Sequence, residues 1–454
     1  MALHSLRCLH PECERIYPPE AGMRLVCDGE TDGSHGPALL RPVFESPRLT
    51  IRDDLPGIFR FVEWLPVNSR YLAPRRGSLG TPMSYRSERL GEYLGLPNLF
   101  IAFSGWWPER GGNLVTRTFK EFECQSTLAR YLATLGDDGP MPLIIASAGN
   151  TANGFALLGG QFDIPIYLVV PVSGLGNLLL PYETEPFLIA VDGDYSEATA
   201  MADALSRRVG LLRDGGVRNV ARRSGMGTVM LNAVAAPEGG SGRMYDHYFQ
   251  AVGSASGAIA AWEASELLRA DGRFGDTMPR IHMAQNEPFT PIVDYWESDR
   301  REAPVLDAES TRARIDAVSA QVLTNRTPPL TTAGGIGDVL QESRGYAWRV
   351  SNDEAFQAAR LFRETEGVDA GPAASVALGA MQKAMAAGKV GSEDHVLLHI
   401  TGGGRAKQLV RNEVRPIPPR ITVRPDEIDR VIAAIGAPPR VENASGALRR
   451  YAEV

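Results

Sequence analysis

Between residues 119 and 170 the apolar positions change period twice. Phe119, Phe122, Leu128, Leu132 and Leu135 recur at roughly three- and four-residue steps, which predicts an amphipathic helix. A short apolar run at 142–146 then predicts a strand. Ser147, Ala148, Gly149, Asn150 and Thr151 form a tight polar turn, and a second helix opens at Thr151. Residues 164–170 read as another buried strand. The product is a βαβ unit with a polar loop at the C-terminal end of its first strand. Ligands of open parallel sheets bind at that edge.

The alternation continues downstream. Strands are predicted at 187–192, 247–252, 280–285, 347–351 and 395–400. Helices are predicted at 196–208, from 258, at 353–366 and from 371. This order predicts an α/β fold with open twisted sheets. A chain of 454 residues is too long for one simple core. Two α/β domains and a small N-terminal arm are expected. The arm takes 1–45, and a large domain takes 46–115 and 186–415. A small domain carrying the polar turn takes 116–185, and a C-terminal helix and tail take 416–454.

Charge and composition narrow the function. The net charge of −7 gives no basic footprint for nucleic acid. No run of 18 apolar residues exists and the first residues lack a long apolar core, so a cytoplasmic protein is expected. Four cysteines in this length do not make a disulfide framework. Cys8, Cys13 and Cys27, with His35, lie near turn residues and suggest a small zinc ribbon. Their spacings, C-x4-C and C-x7-H, are looser than in common zinc motifs, and an empty arm with free thiols is the alternative.

Three other stretches carry candidate chemistry. Lys120 follows Phe119 at the start of the first helix; a lysine held against apolar surroundings can lose its proton and attack a carbonyl. Gly253-Ser254-Ala255-Ser256-Gly257 lies between a strand and a helix start, an arrangement that cradles phosphate on backbone N–H groups. It lacks the G-x-G-x-x-G spacing of dinucleotide sites. Residues 219–231 combine Arg222 and Arg223 with two glycines and read as an anion-binding loop. Each has a plainer reading: a solvated lysine, a turn, and exposed arginines. The aromatic loop around Trp106 has no assigned role.

The order Phe-Lys, helix, strand, Ser-x-Gly-Asn-Thr, helix resembles the fold type II pyridoxal-phosphate enzymes, which include threonine synthase, cysteine synthase and tryptophan synthase β. The resemblance runs from the cysteine-bearing arm to Thr401. It implies that Lys120 carries pyridoxal 5'-phosphate as a Schiff base and that Asn150 contacts the ring hydroxyl. It implies further that Gly253, Ser254, Ala255, Ser256 and Gly257 hold the cofactor phosphate. Thr401, at the end of a late strand, then bonds the pyridine nitrogen. The turn of Ser147, Ala148, Gly149 and Thr151 holds the substrate carboxylate, although the family usually has a hydroxyl residue where Ala148 stands. Threonine synthase-like chains often begin with a knuckle such as the one suggested by Cys8, Cys13, Cys27 and His35.

Stretches 191–195, 219–231 and 246–254 sharpen the resemblance toward the cysteate synthase family, relatives of threonine synthase. That family replaces the phosphate of O-phospho-L-serine with sulfite through an aminoacrylate, giving L-cysteate for coenzyme M synthesis in some methanogens. Two anions must then be accommodated, and Arg117, Arg222, Arg223 and Arg405 are the candidates. A small-molecule amino-acid substrate and a homo-oligomer are implied. The rival readings are a threonine synthase acting on O-phosphohomoserine, a paralogue using another nucleophile, and an inactive sensor on the same fold.

Overall fold

In the computed structural model, the protein is described over residues 4–68, 72–135, 142–147, 149–181, 184–298, 307–410 and 414–436. Among these residues two large sheets form. The first orders its strands Leu212–Arg213, Leu143–Ala146, Ile166–Pro171, Phe187–Val191 and Ile421–Val423, all parallel. The second orders them Tyr346–Val350, Arg280–Asn286, His247–Ala251, Val396–Ile400, Leu99–Phe103 and Ser84–Arg86. Only the Ser84–Arg86 edge runs antiparallel. The α/β architecture with two open sheets is therefore as expected from the alternating periods.

The division of the chain between the sheets is not the expected one. Phe187–Val191 and Leu212–Arg213 lie in the span assigned to the large domain, yet both pair in the five-stranded sheet. Ile421–Val423, assigned to the C-terminal segment, completes its other edge. Parallel strands need crossover connections, so neighbours in a sheet can be far apart in sequence.

Both sheets are covered on both faces, as buried parallel sheets require. One apolar cluster joins Leu143, Ile145 and Leu168 of the first sheet to Tyr248, Ile281 and Leu397 of the second. The helices Lys120–Leu135, Asn150–Phe162, Val220–Ala235 and Ser256–Asp271 lie in this shared layer. The outer face of the first sheet is closed by Tyr195–Val209 and Ile428–Ile435. That of the second is closed by Asn352–Glu366 and Pro372–Ala386.

Residues 219–231 are not a loop. Val220–Ala235 is a 16-residue helix, started by the Asn219 side chain accepting from the Ala221 N–H. Its glycines serve close packing instead of turning the chain. A Cβ on Gly225 would collide with the Phe122 carbonyl and come within 2.9 Å of Ser126 Cβ. A Cβ on Gly227 would lie 3.1 Å from the Ala260 carbonyl. Small residues let helices approach where larger ones cannot.

The N-terminal arm is a three-stranded antiparallel sheet with Leu6–Cys8 between Ile16–Tyr17 and Leu40–Pro42. It is bound to the body by charge. Glu30 accepts two bonds from Arg218, at 2.9 and 2.7 Å. Arg41 pairs with Glu263 and Glu266. The Trp106–Trp107 strand forms a hairpin with Gly112–Asn113. Arg110 lies over the rings of Tyr85 and Trp107, at 5.1 and 5.0 Å. The Trp106 N–H donates to the Gly403 carbonyl at 3.0 Å, so the hairpin braces the loop that follows Thr401.

Gly225→Ala should destabilise the protein, because its Cβ meets backbone; overpacking costs about 1–3 kcal/mol. Gly160→Ala, in a helix with nothing within 4 Å of the new methyl, should stabilise it by about 0.5–1 kcal/mol. Thermal unfolding of the two variants should show shifts of opposite sign.

Candidate active site and metal cluster

A cleft of about 260 Å³ opens beyond the C-terminal ends of strands from both sheets. Ala146 and Ser147 line it from the first sheet, and Ala251 leads into loop 253–257 from the second. Lys120 lies in its wall at the first turn of its helix. The chain has four lysines, Lys120, Lys383, Lys389 and Lys407. The other three are elsewhere: Lys383 pairs with Glu354, Lys407 with Glu109, and Lys389 lies over the Tyr346 ring.

The charge balance around Lys120 is specific. Its Nζ donates to Glu123 Oε2 at 3.1 Å and lies 4.8 Å from the centre of the Phe119 ring. Glu123 has no exposed surface. Its other oxygen accepts from Arg222 Nη2 at 2.6 Å and from the Thr151 hydroxyl at 2.9 Å. Arg222 Nη1 donates to Asp214. Burial alone would push the Glu123 carboxyl upward, but Arg222 and then Lys120 outweigh it and hold it below the ordinary range. Both carboxylates keep Arg222 cationic despite its burial.

The turn after Leu143–Ala146 depends on Gly149, with φ 142° and Asn177 3.1 Å from where a Cβ would stand. Ser147 accepts the Gly149 N–H, at 3.3 Å, leaving its own proton free to donate. Thr151 has committed its proton to Glu123. Asn150 opens the helix Asn150–Phe162 and lines the cleft. Ala148 lies outside the described residues.

Loop 253–257 has the form of an anion cradle. It leads into the 16-residue helix Ser256–Asp271, whose N-cap, Ala255, has left-handed backbone (φ 56°) and supplies no side-chain cap. The first N–H groups of the helix are thus left for a ligand. A non-glycine residue in that conformation is strained, a common feature of functional sites. A Cβ on Gly257 would lie 2.6 Å from Gln250 Nε2 and 2.7 Å from the Phe119 ring. A phosphate group fits this donor set. Thr401 lines the cleft, and its carbonyl accepts the Phe119 N–H at 3.1 Å, tying the lysine helix to the end of Val396–Ile400.

Lys120, Ser147, Gly149, Asn150, Thr151, Arg222, Thr401 and loop 253–257 are therefore brought together. Arg117 and Arg223 are not. Arg223 is fully buried away from the cleft, with Glu263 at 3.2 Å and the carbonyls of Val217 and Leu40 as its other partners. Arg117 is buried against Gln408, and burial lowers its pKa to about 10. Arg405 is exposed at the start of Arg405–Val410. Sequence reasoning missed Glu123 and Gln250. Glu123 follows Lys120 by three residues, which puts both on one helix face, and that spacing was the available signal.

Cys8, Cys13, Cys27 and His35 converge, with all four ligand atoms within 4.8 Å of one another. Cys13 and Cys27 sulfurs are 3.7 Å apart, as are Cys8 sulfur and His35 Nε2. Zinc–sulfur bonds of about 2.3 Å in a tetrahedron place two sulfurs about 3.8 Å apart, so the cluster fits zinc. Among the described residues no helix is long and apolar enough to cross a membrane.

The family pattern described as "Pyridoxal-phosphate dependent enzyme" matches residues 81–402. A cysteate synthase of Methanoculleus marisnigri is 44% identical over 424 residues, covering 92% of this chain and 93% of the relative. One from Methanosarcina acetivorans is 41% identical over 92% of this chain and 96% of its own. Among solved structures, threonine synthase from Escherichia coli matches with a TM-score of 0.53 at 14% identity, over 75% of this chain and 79% of that one. The last is a likeness of fold.

Glu123→Gln should destabilise the protein by about 3–5 kcal/mol at pH 7, because it leaves buried cations uncompensated. A carboxylate with a lowered folded pKa contributes its stability above the unfolded value of 4.5 and loses it as pH falls further. The gap between variant and wild-type melting temperatures should therefore narrow below pH 4.5. Elemental analysis should find one zinc per chain, lost in Cys27→Ser, with a lower melting temperature on chelation.

Proposed function

The chain belongs to the pyridoxal-phosphate dependent enzymes, and within them to the cysteate synthases; on that premise we propose that it replaces the phosphate of O-phospho-L-serine with sulfite, giving L-cysteate and phosphate. The observation that carries the reading is the shared lining of one cleft by Lys120, loop 253–257 and the turn around Asn150.

Lys120 would hold the cofactor, the amides of loop 253–257 its phosphate, and Asn150 and Thr401 the polar atoms of its ring. When bound, pyridoxal phosphate supplies a conjugated ring that takes up negative charge from the amino acid's α-carbon. The Lys120 amine takes the α-proton and later returns it. Glu123 keeps the resulting ammonium 3.1 Å away, charge-compensated and out of water. The Ser147 hydroxyl, whose proton is uncommitted, and the backbone N–H of Thr151 in the first turn of its helix would receive the substrate carboxylate. At Cβ the carbon–oxygen bond breaks with its electron pair leaving on phosphate, and a sulfur lone pair of sulfite forms the new bond.

Both of those groups are anions, and Arg222 offers them a donor. Its two Nη groups are committed to Glu123 and Asp214, while Nε is buried without a partner among the described residues. A preoriented donor of this kind stabilises developing negative charge. Arg117 and Arg223 have no part in this proposal. A cytoplasmic location agrees with four unbridged thiols. A homo-oligomer belongs to the same reading and is measurable by light scattering.

Purified protein with pyridoxal phosphate, O-phospho-L-serine and sulfite should release phosphate and form cysteate in equal amounts, read by phosphate assay and mass spectrometry. Lys120→Ala should lower the rate by at least about 10³-fold. Threonine formed from O-phosphohomoserine, with phosphoserine inert, would instead make it a threonine synthase. Phosphate release without cysteate would keep the leaving group and exclude sulfite as the nucleophile.

A further inference from the structure

Gln250 lies on the strand His247–Ala251, 2% exposed, with its side chain in the cleft lining. Its Oε1 accepts the Tyr248 hydroxyl proton at 2.7 Å. Its Nε2 is the donor side of the amide.

The bond from Tyr248 begins a chain of hydrogen bonds, whose direction follows from the oxygen being the amide atom that meets Tyr248. Tyr248 has a single proton, and it goes to Gln250. The Tyr248 oxygen must therefore accept from His399 Nδ1, at 2.8 Å. His399 then carries its proton on Nδ1, so Nε2 accepts from the Ser104 hydroxyl at 3.0 Å. Burial keeps His399 neutral, with its pKa driven down to about 3. The ring is held edge-on to Phe119, 5.1 Å between centroids, beside Lys120. With Oε1 on Tyr248, Nε2 is the amide atom nearer to Gly257. The position a Cβ would take on Gly257, the last residue of the cradle, is 2.6 Å from that amino group and 2.9 Å from the amide oxygen.

We propose that Gln250 is a cofactor-phosphate ligand, donating from Nε2 to a phosphate oxygen seated in loop 253–257, and that Ser104, His399 and Tyr248 are positioning residues that keep its donor side forward. This rests on the reading of the cleft as a pyridoxal-phosphate site. Phosphate offers acceptors only, so a donor suits it and a reversed amide opposes it. The hydroxyls of Ser254 and Ser256, 2.8 Å apart, bond to each other, which leaves one of their two protons for a ligand.

The test compares pyridoxal phosphate with pyridoxal, which lacks the phosphate, by absorbance titration of the full-length apoprotein. Gln250→Met should weaken pyridoxal phosphate binding about tenfold or more, the size of a hydrogen bond to a charged group, and leave pyridoxal within about twofold. Gln250→Glu should weaken it further, through repulsion. Tyr248→Phe should give an intermediate loss, because the amide is freed to turn; it and Gln250→Glu carry the test if Gln250→Met does not fold. Equal loss for both ligands, or no loss for either, overturns the proposal. Wild-type protein that binds pyridoxal as tightly as pyridoxal phosphate overturns the cradle itself, a separate and recognisable result.

Discussion

The Glu123 carboxylate has two cations to balance and no water to help. Lys120 contacts one of its oxygens and Arg222 the other, and Thr151 adds a hydroxyl. Asp214 balances the remaining charge on Arg222. Four charged groups thus cancel in the floor of the cleft. A lone buried lysine would be driven toward neutrality and a lone buried glutamate toward protonation. Paired in this way, the lysine is held in the cleft wall.

That balance depends on how near two helices can come. Lys120–Leu135 and Val220–Ala235 touch at Gly225, where the Phe122 carbonyl occupies the space of a side chain. A wider separation would move Arg222 away from Glu123. The N-terminal arm is secured to the same helix from behind. Arg223 donates to the Leu40 carbonyl and Arg218 to Glu30. Adjacent arginines on one helix point about 100° apart, so Arg222 serves the cleft and Arg223 the arm.

What was legible in the sequence was local. The strand, polar turn and helix around Asn150, and the small-residue loop before Ser256–Asp271, are contiguous signals, and both lie where they were expected. The cysteine cluster was legible by residue type even though its spacing was loose. Residues 219–231 read as a loop because glycine commonly forms turns; in a buried helix the same residue permits close contact. Domain limits were not legible because pairing of Phe187–Val191 with Ile166–Pro171 and Ile421–Val423 is set by tertiary packing. Glu123 and Gln250 were overlooked because their partners come from elsewhere in the chain.

The central claim is that Lys120 is the residue that binds the cofactor covalently. Its three competitors, Lys383, Lys389 and Lys407, lie outside the cleft. Borohydride reduction of the protein loaded with pyridoxal phosphate, followed by peptide mass mapping, tests it directly. A phosphopyridoxyl mass on the peptide containing Lys120 alone is the predicted result. The same mass on any of the other three lysines, or on none, would contradict the account.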